Sequence, residues 1–201
     1  MQALALVLAI AMSAVSAAPS PALSGPPDTL AASAIVPALR TGGYVVFFRH
    51  GITDHSARDE PNLTYADCTS QRNLTEAGRD QARSIGTAFR AFAIPVGTVR
   101  SSLYCRCIET ARIAFRKDEP TADLTEANGR ATDVGPRVAQ MLGTPPAPGT
   151  NTVLVSHAAV LRLVTRISIE EGDAAIFKPL PDGRFRLAAI VPAAAWSGLG
   201  T

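Results

Sequence analysis

Apolar residues in this chain fall into short runs separated by polar, turn-rich stretches. Residues 44–48, YVVFF, are a continuous apolar run, the pattern of a central strand buried on both faces of a parallel sheet. Residues 52–73 are polar and loop-like and include Pro61. In LTEAGRDQARSIGTAFRAF, residues 74–92, Thr75 can cap a helix and Glu76 sits in its first turn. Ala82, Ile85, Phe89 and Phe92 recur there at steps of three and four, which marks one helix face. Residues 98–101 predict a short strand leading into a helix over 106–115, residues 134–142 a further helix, and TPPAPGTN at 144–151 a loop. A second buried strand is expected at 151–156, a helix over 159–167, and two last strands at 174–178 and 185–191. Strands alternating with helices predict a three-layer α/β/α sandwich on a mainly parallel sheet.

The N-terminus adds a targeting expectation. Residues 3–15 are an apolar run followed by the small residues Ser16, Ala17 and Ala18, which reads as a secretory signal peptide over 1–17, although no Lys or Arg precedes the run. The run is too short to span a bilayer comfortably. A secreted or periplasmic protein is therefore expected, with no stable membrane insertion after cleavage. Residues 18–40, rich in Pro, Ser and Ala, read as a flexible leader to one domain over 41–195. Apolar content of 47% and charged content of 18% are ordinary for a globular domain, and a net charge of +2 gives no argument for nucleic acid. Three cysteines, Cys68, Cys105 and Cys107, allow at most one internal disulfide. Bridges from Cys68 to Cys105 or to Cys107 both stay open, as do small buried thiols. Cys-Arg-Cys is too tight for a usual zinc pair.

Candidate chemistry sits at the ends of the predicted strands, where open parallel sheets bind ligands. Arg49-His50-Gly51 ends the first, Ser101 to Arg106 follows the second, and Ser156-His157 ends the third. Arginine pairs two-pronged with phosphate oxygens and never loses its charge, so Arg49 and Arg106 would neutralise most of a phosphomonoester dianion. Arg106, near a helix start, gains from the unpaired amides there. A neutral imidazole can attack phosphorus if its other nitrogen is protonated and aimed, and Gly51 would let backbone approach for that purpose. A second histidine can donate to the equatorial oxygens. Side-chain cations make a metal or other cofactor unnecessary. His55 with His50 and His157 would be the zinc alternative, but flanking arginines would repel a dication. Each residue alone is more often a half-buried histidine or a solvated arginine; their joint placement carries the reading.

FFRHGIT, LTEAGRDQAR, SSLYCRCIETA and LVSHAAVLR occur in the order seen in the histidine phosphatase superfamily, the phosphoglycerate-mutase-like enzymes, which the chain resembles over roughly residues 44–192. It looks most similar to the small exported bacterial branch, whose members also carry a Cys in the loop before QRNLT. The resemblance implies that His50 is the phosphorylated nucleophile, that Arg49 and Arg106 bind phosphate beside His157, and that Thr53 is a pocket neighbour. The proton donor is expected at Glu171 or Asp173, ahead of Glu126, whose spacing from Arg106 is shorter than usual for the family. A phosphatase acting on a phosphorylated small molecule or phosphosugar is the expected function. A mutase-type phosphotransferase needs a phosphoenzyme that outlives the wait for a second acceptor, and this short domain leaves little chain for a closing lid. A non-catalytic phosphate or phosphosugar binder would keep the arginines and be indifferent to His50. Composition and spacing leave the substrate and the oligomeric state open.

Overall fold

Branched and aromatic side chains favour the pleated, extended backbone, and the four consecutive ones at 45–48 give strand β1 (Val45–Arg49). The computed structural model describes residues 29–126 and 134–199, so the expected signal peptide and residues 18–28 of the leader lie outside the described residues. Strands β2 (Val96–Ser101), β3 (Glu119–Pro120), β4 (Asn151–Ser156), β5 (Ala174–Pro179) and β6 (Phe185–Val191) join β1 in a sheet of order β3-β2-β4-β1-β5-β6. β1 pairs parallel with β4, β4 with β2, and β2 with β3, while β5 pairs antiparallel with β1 and β6 with β5. This is the expected, mainly parallel arrangement.

Helices α1 (Ala32–Thr41), α2 (Glu76–Ala91) and α3 (Cys105–Phe115) cover one face of the sheet, and α4 (Val134–Gly143) and α5 (Ala158–Thr165) the other. β1 feeds both layers, because successive strand side chains point to opposite faces. Val46 and Phe48 pack with Ile85, Phe89 and Trp196, while Val45 and Phe47 pack with Leu142, Val160, Leu161 and Phe177. Trp196 is fully buried, its ring centroid 4.9 Å from Phe89 and 5.8 Å from Phe48. Among the described residues no helix is long and apolar enough to cross a membrane.

The leader is shorter than its composition suggests. Residues 32–40, read as flexible, belong to α1, which buries Ile35, Val36 and Leu39 against the sheet. Helical spacing of those three residues was the available signal, and the surrounding Ala, Ser and Pro masked it. Gly42, at φ 77, ends the helix in a conformation that favours glycine.

α2 starts as its sequence predicts, with the Gly78 amide donating to Thr75 Oγ1 at 3.1 Å. Its first turn presses directly on the segment after β1. A Cβ added to Gly78 would lie 2.1 Å from the Ile52 carbonyl oxygen, and one added to Gly51 would lie 2.8 Å from that of Gly78. Both close approaches require glycine.

Of the two bridges left open, the structure forms Cys68–Cys105 and leaves Cys107 free and buried. The bridge ties the irregular loop 52–73 to the start of α3 across 37 residues of sequence. Closing a loop of that length removes chain entropy worth up to about 4 kcal/mol from the unfolded state. Cys68→Ser should therefore lower the unfolding free energy by about 2–4 kcal/mol in urea titrations without reductant. A loss below the error of the extrapolation would show that the bridge does not constrain the unfolded chain.

Candidate active site

Parallel pairing brings three strand ends together at one edge of the sheet. Arg49 stands opposite Ser156, and Ser101 opposite Val155, so the residues that follow each are neighbours in space. The His50 amide donates to the Ser156 carbonyl at 3.0 Å, and the Ser102 amide to that of Val155 at 2.9 Å. His50 and His157 consequently meet with ring centroids 5.3 Å apart.

His50 is 2% exposed. Its Nδ1 lies 2.9 Å from the Gly51 carbonyl oxygen, which can only accept, so Nδ1 carries the hydrogen and Nε2 keeps its lone pair. The Gly51 amide donates to Thr110 Oγ1 at 3.0 Å, and that hydroxyl donates to the Arg106 carbonyl at 2.7 Å, which pins the Arg-His-Gly turn to α3. Burial is the main cause that lowers the His50 imidazole from 6.5 to about 3. The Gly51 hydrogen bond and Glu171 oppose that shift, and Arg106 and Arg49 add to it. The imidazole is neutral at ordinary pH.

His157 is held by a chain of hydroxyls. Thr125 Oγ1 donates to the Thr121 carbonyl and lies 3.1 Å from the Ser102 hydroxyl, whose Oγ is 3.0 Å from His157 Nε2. Burial, then the Arg106 charge, lower this imidazole too. The Cys107 thiol lies 3.6 Å from the same nitrogen, but burial pushes it up to about 12, so it stays protonated and inert.

Both arginines are anchored by other segments. Arg49 donates from Nη1 to the Ile169 carbonyl at 3.2 Å and lies 3.4 Å from Glu171 Oε1. Arg106 makes a two-pronged pair with Asp59, at 2.9 Å from Nη1 and 3.2 Å from Nη2. The Tyr104 ring, 4.1 Å from the guanidinium carbon, covers one of its faces. The charges of Arg49, Arg106 and also Arg72 act on His157, which places all three at the site. Among the described residues no three His, Cys, Asp or Glu side chains cluster as a metal site.

The expected carboxyls behave differently from one another. Glu171 accepts from the Thr53 hydroxyl at 2.7 Å, from the Thr53 amide at 3.3 Å and from His55 Nε2 at 3.1 Å. Burial raises its pKa, but the Thr53 and His55 hydrogen bonds together outweigh burial and hold it below the usual range. Glu171, expected as the proton donor, is held ionised here and joins Thr53 to Arg49. Asp173 is tied to backbone, accepting from the Glu170 amide at 3.1 Å and the Ala193 amide at 2.9 Å. Glu126 follows Thr125 of the His157 hydroxyl chain, and its charge acts on Tyr104, whose ring centroid is 5.0 Å from that of His157. His55 lies at the pocket mouth between Glu171 and Arg72, while Asp54 is exposed and turned to Ser56. Asp59, Arg72, Ser102, Tyr104, Thr110 and Thr125 were not singled out from sequence. For Ser102 and Tyr104 the signal was their place in SSLYCR beside Arg106; Asp59 gave none.

Residues 45–131 match the family model described as histidine phosphatase superfamily (branch 1). No curated protein matches the chain. Among solved structures the chain is similar to the protein histidine phosphatase SixA complexed with tungstate, with 16% identity, a TM-score of 0.56, and 75% of this chain and 97% of that one covered. It is similar to mycobacterial glucosyl-3-phosphoglycerate phosphatase Rv2419c in complex with VO3, at 18% identity and TM-score 0.56, over 75% of this chain and 100% of that one. It is also similar to Rv3214 of Mycobacterium tuberculosis, at 17% identity and TM-score 0.54, over 75% and 97%. At these identities the likeness is one of fold.

Burying a neutral imidazole has a thermodynamic signature. As pH falls through 6.5 the unfolded imidazole takes up a proton, while folded His50 resists until about 3, so stability is lost across that window. From this residue alone the unfolding free energy should fall by about 2 kcal/mol between pH 7 and pH 5. His50→Gln should remove that part of the slope in denaturant titrations at the two pH values. An unchanged slope would mean that the imidazole is not held neutral.

Proposed function

We propose that this chain, whose residues 45–131 match the histidine phosphatase superfamily (branch 1) model, is an exported phosphomonoesterase of that superfamily that works through a phosphohistidine on His50. The observation that carries the reading is the buried, neutral His50, with Nδ1–H held by the Gly51 carbonyl and Nε2 left as a nucleophile between two guanidinia and a second imidazole. Two fold neighbours are complexes with the oxyanions tungstate and VO3, which supports a phosphate ester as the ligand. A phosphorylated small molecule or phosphosugar is the substrate class this site suits.

The reaction runs in two displacements. His50 Nε2 attacks phosphorus, the phosphorus–oxygen ester bond breaks, and the leaving oxygen takes a proton from a carboxylic acid. Water then attacks the phosphohistidine, the phosphorus–nitrogen bond breaks, and the same group, now a carboxylate, accepts the water's proton. Arg49, Arg106 and His157 stabilise the charge on the equatorial oxygens. We assign the acid to Glu126. Glu171 is committed to Thr53, His55 and Arg49, and Asp173 to two backbone amides, whereas the Glu126 carboxyl has no hydrogen-bond partner among the described residues.

Wild-type protein should release phosphate from p-nitrophenyl phosphate, and acid quench during turnover should trap the phosphoryl group on the peptide containing His50. Release that survives His50→Ala would overturn the nucleophile, and phosphate binding without release would leave a binder. Glu126→Gln should slow hydrolysis of an alkyl phosphate by about 10²-fold or more. It should slow p-nitrophenyl phosphate far less, because nitrophenolate leaves without a proton. Equal losses on the two substrates would move the acid elsewhere.

A further inference from the structure

The donors of Arg106 are only partly used, and the pattern of use is directional. A guanidinium presents five N–H groups in one plane. Asp59 takes one from Nη1 and one from Nη2 at the terminal edge, through Oδ1 and Oδ2. The Arg72 carbonyl takes the other Nη1 hydrogen at 3.2 Å. What remains is a side edge, Nε–H with the second Nη2–H, and Nε is buried with no hydrogen-bond partner. The Arg106 side chain is only 6% exposed, so water does not readily satisfy that edge. An orphaned charged donor in the interior is costly and points to a group that arrives later. Two parallel donors on one edge are the shape that grips two oxygens of a tetrahedral anion.

We propose that Asp59 is a positioning residue that holds the terminal edge of Arg106, so that the Nε and Nη2 hydrogens form the two-pronged clamp for the substrate phosphoryl group. This rests on the phosphatase reading of the same site and extends it into the loop 52–73. Asp59 is itself held in place, because its Oδ1 accepts from the Arg72 amide at 2.8 Å. Burial alone would raise its pKa, but the Arg106 and Arg72 bonds outweigh burial and keep the carboxylate ionised. Tyr104 on the guanidinium face and the Cys68–Cys105 bridge beside it restrict the remaining freedom of the pair. A carboxylate that merely occupied the phosphate seat would have to leave before substrate bound. Here the free edge makes that unnecessary.

The test measures orthophosphate binding by calorimetry on the full chain, separately from turnover of p-nitrophenyl phosphate. Asp59→Asn is nearly isosteric but turns an amide donor towards one guanidinium nitrogen. It should weaken orthophosphate binding and lower kcat/KM by about tenfold each, with Asp59→Ala at least as severe. In an Arg106→Ala background the same Asp59→Asn change should cost less than about twofold, because the residue acts through the guanidinium. A role confined to loop stability would give the full loss in both backgrounds and overturn the proposal. Unchanged or tighter orthophosphate binding in Asp59→Asn would overturn it as well, the tighter result marking Asp59 as a competitor for the seat. A wild type that binds orthophosphate without turnover, with binding about tenfold weaker in Asp59→Asn, would refute the phosphatase and leave the clamp standing.

Discussion

Removing His50 from water is the constraint on which the site depends. Burial lowers its basicity enough to keep the imidazole neutral between two guanidinia, which is the state a phosphorus nucleophile needs. That state is reachable only because the Gly51 carbonyl occupies Nδ1, and the Gly51 turn fits only because Gly51 and Gly78 have no Cβ between them. The first turn of α2, far from the chemistry in sequence, is thus part of what aims the imidazole. Beneath it, the packing of Phe48 against Phe89 and Trp196 fixes the strand that delivers Arg49 and His50.

Concentrating positive charge at one sheet edge creates a second problem, and the protein meets it with carboxylates from outside the catalytic strands. Glu171, in the turn before β5, lies against Arg49, and Asp59, in the loop before α2, forks with Arg106. The loop that carries Asp59 has little regular structure, yet polar bonds fasten it on both sides. The Gln71 amide group donates to the Thr64, Tyr65 and Asp67 carbonyls and accepts from the Cys105 amide, next to the disulfide. Fixed loops of this kind replace apolar burial with satisfied hydrogen bonds, and they place charge where a strand end cannot.

The same division separates carboxyls by role. A carboxyl with three hydrogen-bond donors and a guanidinium around it stays ionised and serves as an anchor, as Glu171 does. A proton donor must avoid such company, and Glu126 stands next to the hydroxyl chain of His157 but outside it. Both types look alike in one dimension.

The sequence alone determined the layered α/β fold and which side chains would meet at one sheet edge, because strand and helix periodicities are local and because parallel strands put their carboxyl ends on one edge. Arg49, His50, Arg106 and His157 were legible on those grounds, and the motif order sharpened them. α1 was not, since alanine, serine and proline around Ile35, Val36 and Leu39 gave the composition of a linker while tertiary packing supplied the stability. Only the tertiary structure chose Cys105 over Cys107, put Asp59 on Arg106 and set Glu171 against Thr53 and Arg49. Those outcomes depend on which donors lie within about 3 Å of an atom, a property of long-range packing that no local pattern records.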